Sequence, residues 1–401
     1  MKLLTPETVQ FIKEHLNDDV AALALHHKKN PCIDFEEAFT QISGFQKAKN
    51  KLPLLASNSN IRYPKTLSLE QCSSETTANF KAGIFKGSTL LDLTGGFGID
   101  SIAFSKQFDK IFYVEKDPEL CGIMEYNCTQ LGINNINIIN DEAETAILRA
   151  PNVDVIYLDP SRRTDKNEKV FRLEHCSPNI LTLMPLLKEK ASMGILCKLS
   201  PIADIKSTCS LLPSVTSLWI VSAKNECKEL LCAIDLKTHH PTEPTIEAID
   251  INNDKLTRFT FTFSEEAYAK PIYADCVMKY LYEPLTPLLK AGAFKLLSER
   301  FKLQKLHQHT HLYTSDILQP DFPGNIFKTE AVLSFNKKEL KKHLPALNGC
   351  CLKVRNFPMS VDSLSKQLCF NARGEGDRCL FATTLSDEKH LLILGTRQKI
   401  S

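Results

Sequence analysis

The stretch Leu90-Leu-Asp-Leu-Thr-Gly-Gly-Phe-Gly98 constrains this chain more than any other. A short apolar strand ends at Asp92, breaks into glycines, and resumes at Ile99 to Phe104 with helical apolar spacing. A strand passed through a glycine loop into a helix brings unpaired helix N–H groups and Cβ-free backbone to one place, which suits a nucleotide-like ligand. The next acid at a strand end is Glu115, in Lys110-Ile-Phe-Tyr-Val-Glu115. It stands where a βαβ unit accepts hydrogen bonds from ribose hydroxyls.

Gly95-Gly-Phe-Gly98 is not the G-x-G-x-x-G pattern that seats a pyrophosphate, which disfavours a nicotinamide dinucleotide. S-adenosylmethionine has no pyrophosphate. Its ribose, adenine and amino acid ask for one acid near the first loop and another at the end of the second strand, and Asp92 and Glu115 stand there. A third strand, Ile136 to Ile139, leads to Asp141, which could face an adenine edge; Glu142 and Glu144 are neighbours, and any of the three is equally a solvated acid. The fourth strand, Val153 to Leu158, leads to Asp159-Pro-Ser-Arg-Arg163, beside the crevice where open α/β sheets bind ligands.

Asp92 to Gly98, Glu115, Asp141 and Asp159-Pro160 resemble the successive motifs of class I S-adenosylmethionine-dependent methyltransferases. Leu69-Glu-Gln-Cys-Ser-Ser-Glu-Thr-Thr-Ala78, Tyr282-Glu-Pro284, Lys290-Ala-Gly292, His311-Leu-Tyr-Thr-Ser-Asp316 and Arg355-Asn-Phe-Pro358 extend this to a narrower bacterial family, the methyltransferases with a THUMP-like C-terminal domain. The resemblance spans nearly the whole chain. It implies an α/β fold: a Rossmann-like, mostly parallel sheet with a terminal antiparallel strand, a helical N-terminal module and small α+β C-terminal domains. It also implies S-adenosylmethionine as cofactor, contacted by Asp92, Thr94, Gly95, Gly96, Gly98, Glu115 and Asp141, and by Ser74, Glu75 and Thr77 of the Ser-Glu-Thr-Thr motif. On residue chemistry alone, Ser73 or Ser74 is equally a helix cap.

The resemblance makes RNA, ribosomal or transfer, the expected acceptor; a protein or small-molecule acceptor would use the same cofactor residues, and a non-catalytic RNA-binding protein could keep the fold. N-methyltransferases acting on exocyclic amines carry Asp/Asn-Pro-Pro-Tyr/Phe where this chain has Asp159-Pro-Ser-Arg162, so Ser161 and Arg162 replace the second proline and the stacking ring. Asp159 and the Pro160 carbonyl can still accept amine hydrogens and are the candidate catalytic groups. Ser161, Arg162 and Arg163 are candidate substrate contacts. The guanidiniums either stack on a base or pair with phosphate, or else form ion pairs with Glu174 or Asp165.

At 401 residues and 43% hydrophobic content the chain can bury a large core in two or three domains. A net charge of +2 gives no global pull toward nucleic acid, but residues 331–401 hold twelve Lys/Arg against six Asp/Glu. Fourteen cysteines without a Cys-x-x-Cys pair, and no apolar signal-type N-terminus, lead us to expect a reduced cytoplasmic protein without disulfides or thiolate zinc. No apolar run reaches membrane-spanning length, so no membrane partner is expected. His307-x-His309-x-His311 would share a strand face, but nothing at ligand spacing completes a metal set and none is expected. Cys350-Cys351 reads as buried apolar packing.

The punctuation predicts a helical module over 1–80 and a methyltransferase domain over 81–275. Within that domain, strands are expected near 89–93, 110–115, 136–140, 153–159 and 193–199, then a hairpin of Ser217 to Val221 with Leu230 to Ile234, and a second hairpin appended over 245–263. A small ferredoxin-like αβ unit is expected over 276–330, with one helix from Pro284 to Phe301 and an extended Lys305 to Tyr313. A basic THUMP-like domain over 331–401 completes the chain, with helices near Lys337 to His343 and Ser360 to Leu368. Lys47-Ala-Lys-Asn-Lys51 reads as a solvated face sooner than a phosphate contact.

Overall fold

A computed structural model describes residues 4–26, 30–162, 173–237, 242–253, 255–336, 349–368 and 376–399. The chain divides into two compact units, Met1–Leu218 with Glu229–Thr242, and Trp219–Lys228 with Glu243–Ser401.

The first unit opens with helices α1 (Pro6–His15), α2 (Val20–His26), α3 (Phe35–Lys51), α4 (Pro53–Ser57), α5 (Thr66–Gln71) and α6 (Glu75–Ala82). Side chains of Thr5, Asp34 and Ser74 cap α1, α3 and α6 by accepting backbone N–H groups that the helices leave unpaired. Lys47 pairs with Glu70 at 2.5 Å, and Lys51 Nζ donates to the carbonyls of Leu69 and Glu70. Lys47 and Lys51 of that charge run thus hold helices of the module together.

Strands and helices then alternate: β1 (Gly87–Asp92), α7 (Ile99–Phe104), β2 (Phe108–Glu115), α8 (Pro118–Leu131), β3 (Ile136–Asn140), α9 (Ala143–Arg149) and β4 (Val153–Leu158). A two-stranded ribbon, β5 (Ser161–Arg162) with β6 (Cys176–Ser177), precedes α10 (Ile180–Lys190), β7 (Ala191–Leu199), α11 (Ile205–Leu211) and the hairpin β8 (Ser217–Ala223) and β9 (Glu226–Asp235). Six neighbouring strands of the nine-stranded sheet lie in the order β3-β2-β1-β4-β7-β9, parallel except for β9, which pairs antiparallel with β7. This is the mostly parallel α/β fold expected from the sequence, with β9 as its antiparallel strand. Leu90, Leu91, Ile111, Val114, Ile156, Leu158, Ile195 and Leu196 are all buried, as a parallel sheet covered on both faces requires. From β1 the chain winds outward through β2 and β3, then returns to the other side of β1 as β4. The carboxyl ends of β1 and β4 therefore flank a topological switch point, where such sheets open a crevice. The β8–β9 turn is tighter than the polar run suggested, because Lys224 and Asn225 both take positive φ (53° and 60°) and close it in two residues.

The second unit holds the hairpin β10 (Thr245–Asn252) and β11 (Lys255–Phe261), then α12 (Phe263–Tyr268), β12 (Ile272–Tyr273), β13 (Tyr280–Pro284), α13 (Thr286–Ala291) and α14 (Lys295–Arg300). It continues with β14 (Gln304–His307), β15 (Thr310–Ser315), β16 (Gly324–Ser334), β17 (Cys351–Arg355), the helix Val361–Leu368, β18 (Arg378–Thr384) and β19 (His390–Arg397). Its eight-stranded sheet has the order β12-β14-β15-β13-β16-β19-β18-β17. Two local expectations are corrected. Gly292 takes φ 81° and ends α13, so the single helix expected over Pro284 to Phe301 is two. Lys305 to Tyr313 is a hairpin whose bend the buried Lys305 ammonium stabilises by donating to the carbonyls of His307, Gln308 and Thr310. The histidines divide there: His307 bonds Glu388 and accepts from the His309 N–H at 3.1 Å, whereas His311 stacks on Phe294 at 3.6 Å. Among the described residues no His/Cys/Asp/Glu group could hold a metal, and no helix is long and apolar enough to cross a membrane. Cys350 and Cys351 are buried in apolar clusters. The lysine-rich helix expected near Lys337 to His343 lies outside the described residues.

Candidate active site

Asp92 ends β1, in register with Tyr113 of β2 and Tyr157 of β4, and is completely buried. One carboxylate oxygen accepts from the Thr94 N–H at 3.0 Å and the other from the Ser101 hydroxyl at 2.6 Å. Burial drives its pKa up to about 7, against those two hydrogen bonds. Thr94 also ties the loop to the next motif, since its Oγ1 accepts from the Asp159 N–H at 2.6 Å.

The three glycines of the loop answer to different neighbours. A Cβ on Gly95 would lie 2.1 Å from the Tyr113 ring, and one on Gly98 would lie 2.2 Å from Met124 Sδ. Gly96, at φ 56°, would point a Cβ into open space, with only the Thr94 carbonyl within 4 Å. Packing explains Gly95 and Gly98; Gly96 leaves a bare surface that a ligand can approach. Glu115 accepts from the Gly96 N–H at 2.9 Å through one oxygen and from the Asp117 N–H at 2.9 Å through the other. It therefore sits directly under that surface. Asp141 is further out, accepting from the Glu142 N–H and lying 3.5 Å from Arg149, while Asn140 bridges to the carbonyls of Glu115 and Lys116.

Ser74 caps α6 by accepting from the Thr77 N–H, the buried Thr77 hydroxyl stays on that cap, and Glu75 accepts from the Leu54 N–H at 2.9 Å. These three hold the helix and its neighbour α4. It is the adjacent Ser73 that turns toward the strand ends: its hydroxyl donates to Asp100 at 2.8 Å and accepts from Lys81 at 3.0 Å. Lys81 has no exposure, lies 2.8 and 2.9 Å from the Glu229 oxygens and 3.2 Å from Asp100. The Tyr157 hydroxyl donates to Asp100 at 2.7 Å. Lys198 on β7 contacts Asp159 Oδ2 and lies 3.3 Å from the Ser73 hydroxyl.

Burial pushes Asp100 upward, but the Lys81 and Lys198 ammoniums outweigh it and hold the carboxyl below its ordinary range. Glu229 is raised by burial, partly offset by the same two lysines. For Lys198 burial works against the charge, and the carboxylates of Asp159, Asp100 and Glu229 more than reverse it. Sequence reasoning passed over Lys81, Asp100, Tyr157, Lys198 and Glu229. The available signal was a charge set inside otherwise apolar runs, as in Gly194-Ile-Leu-Cys-Lys-Leu199 and Glu229-Leu-Leu-Cys-Ala-Ile234. Pro160 is buried, Ser161 is exposed and its hydroxyl donates to the Ser177 carbonyl at 3.3 Å, and Arg162 carries the β5 ribbon. Arg163 lies outside the described residues.

The chain aligns over 99% of its length, and all of the other chain, with the crystal structure of a "putative methyltransferase" from Porphyromonas gingivalis W83, at 32% identity and a TM-score of 0.89. The chain belongs to this methyltransferase family. Family models match residues 49–184 (conserved hypothetical protein 95), 280–323 (ferredoxin-like domain) and 324–397 (THUMP domain-like). Two shorter solved structures align with part of this methyltransferase. SMU.1697c from Streptococcus mutans, a "putative methyltransferase" in complex with SAH, covers 40% of this chain and 96% of its own at 16% identity and TM-score 0.31. An rRNA methylase from Streptococcus thermophilus covers 40% and 93% at 13% identity and TM-score 0.30. No curated protein matches. The residues at the strand ends fit S-adenosylmethionine: a buried carboxylate at the end of β1, a half-buried one at the end of β2, and between them the open surface of Gly96.

Proposed function

We propose that this enzyme methylates a base in structured RNA, with Asp92 receiving the amino-acid end of S-adenosylmethionine, Glu115 the ribose hydroxyls, Asp141 the adenine edge, and Thr94, Gly95, Gly96 and Gly98 forming the loop beneath. Ser74, Glu75 and Thr77 support this indirectly by fixing the turn that aims Ser73. The observation that carries the reading is the bond from the Asp159 N–H to Thr94, which fixes the Asp159-Pro160 motif against the cofactor loop at the switch point. When bound, the cofactor supplies an electrophilic methyl group on a sulfonium. The protein's work is alignment and disposal of one proton. Asp159 and the Pro160 carbonyl accept hydrogens from the nitrogen to be methylated, and Asp159 takes up the proton that methylation releases. Ser161, Arg162 and Arg163 follow directly in the chain and contact the RNA strand around the target.

RNA is favoured over other acceptors because the same chain carries a THUMP-like segment with twelve Lys/Arg against six Asp/Glu over residues 331–401, a charge excess suited to phosphate contacts. A base inside a helix would be turned out of its stack to reach Asp159, at a cost of a few kcal/mol. The test is transfer of labelled methyl to total RNA from cells lacking the enzyme. Label entering one RNA species supports the proposal; saturable cofactor binding with label entering only protein or small molecules overturns the RNA assignment.

A further inference from the structure

Lys198 is a largely withdrawn cation, its side chain 12% exposed, in an apolar strand whose Ile195, Leu196, Cys197 and Leu199 are all buried. Neutralising Asp100 and Glu229 does not account for it, because Lys81 already pairs with both. What Lys198 alone reaches is Asp159. Strand register explains how: Leu158 lies opposite Cys197 in the parallel β4–β7 pair, so the next residue of each strand, Asp159 and Lys198, emerge together at the carboxyl end of the sheet. The ammonium holds Asp159 Oδ2, and the Ser73 hydroxyl, itself bound to Lys81 and Asp100, fixes the ammonium from the other side. Asp159 Oδ1 has no hydrogen-bond partner among the described residues, and the side chain is 34% exposed.

We propose that Lys198 is the positioning residue for Asp159: it clamps Oδ2 and thereby aims Oδ1 at the proton-bearing atom of the methyl acceptor. This rests on the reading of Asp159 as the catalytic group. A carboxylate free to rotate would spend its lone pairs on water, so the clamp converts one surface acid into a directed acceptor. Because Ser73, Lys81 and Asp100 anchor Lys198 in turn, the direction of Oδ1 is set by the rigid sheet and α6.

The test compares Lys198→Met, Lys198→Arg, Asp159→Ala and the double variant Lys198→Met/Asp159→Ala. Each is read by cofactor affinity from calorimetry and by single-turnover methyl transfer to total RNA from cells lacking the enzyme. Lys198→Met is expected to slow transfer about 100-fold with cofactor affinity within about twofold, and Lys198→Arg to restore all but about tenfold, as for other transition-state positioning groups. The double variant should be no slower than Asp159→Ala, because a clamp without its carboxylate has nothing to aim. Transfer by Lys198→Met at the wild-type rate overturns the clamp, as do additive losses in the double variant. Should Lys198→Met not fold, Lys198→Arg decides by itself: a lower transfer rate at unchanged affinity supports the clamp, and a full rate overturns it. Full transfer by Asp159→Ala removes the underlying reading and the clamp with it, whereas loss in Asp159→Ala beside full transfer in Lys198→Met removes the clamp alone.

Discussion

Lys81 Nζ lies 2.8 and 2.9 Å from the two carboxylate oxygens of Glu229, a residue 148 positions later, and both side chains are almost completely withdrawn from solvent. The pair joins helix α6, which precedes the glycine loop, to strand β9, which runs antiparallel beside β7. Removing one member leaves an uncompensated charge in the interior. Glu229→Ala should therefore destabilise the first unit by about 3–5 kcal/mol. A fall in the urea midpoint at unchanged slope is the expected signature, and a shift under about 1 kcal/mol would show that water or Asp100 takes over the partner's role.

Gly96→Val should abolish cofactor binding while changing thermal stability modestly. The added side chain meets open space in the protein but fills the ligand-facing surface, and positive φ costs about 1–2 kcal/mol. Gly95→Ala should behave in the opposite order, because its Cβ collides with Tyr113 and the fold suffers first. Calorimetry and thermal melts on the two variants separate the effects; unchanged affinity in Gly96→Val would remove the loop from the cofactor site.

Asp92 gives the site a pH dependence near neutrality. Its folded pKa is raised from the usual carboxylate value to about 7, chiefly by burial, with Asp100 and Asp159 adding smaller like-charge contributions. A raised pKa means the folded protein holds the proton more tightly, so Asp92's contribution to stability is fully present below about pH 4 and is lost as pH rises through about 7. Cofactor binding to the ionised form works the other way. Affinity should rise with pH up to about 7, with proton release detectable by calorimetry in buffers of different ionisation enthalpy, and Asp92→Asn should remove both effects. Affinity flat from pH 5 to 8 would exclude a role for this carboxylate in binding.

RNA binding should be steeply salt-dependent if the basic excess of residues 331–401 meets phosphates. With about six net contacts to largely single-stranded RNA, affinity should fall by two to three orders of magnitude between 50 and 200 mM salt. A filter-binding series checks this, and a salt-independent affinity would point to an acceptor other than RNA.

The sequence by itself determined the alternating order of strands and helices, the glycine loop after Asp92, the acid at the end of the second strand and the Asp159-Pro160 motif. Each is local: a strand ends, a turn needs a glycine, and an acid appears at a fixed distance along the chain. It also announced the closing hairpin, though not that Lys224 and Asn225 would take positive φ and shorten its turn. Only the tertiary structure decided what those residues meet. That Ser74 is spent on capping α6 while Ser73 faces the strand ends depends on the helix's rotation. That Gly95 and Gly98 are demanded by Tyr113 and Met124, and Gly96 is not, depends on how β2 and α8 pack. The network of Ser73, Lys81, Asp100, Lys198 and Glu229 draws one member from each of several elements, and no spacing along the chain encodes it. Its charges become partners because the fold removes them from water, where an unpaired charge is costly, and that condition exists only after the elements have packed.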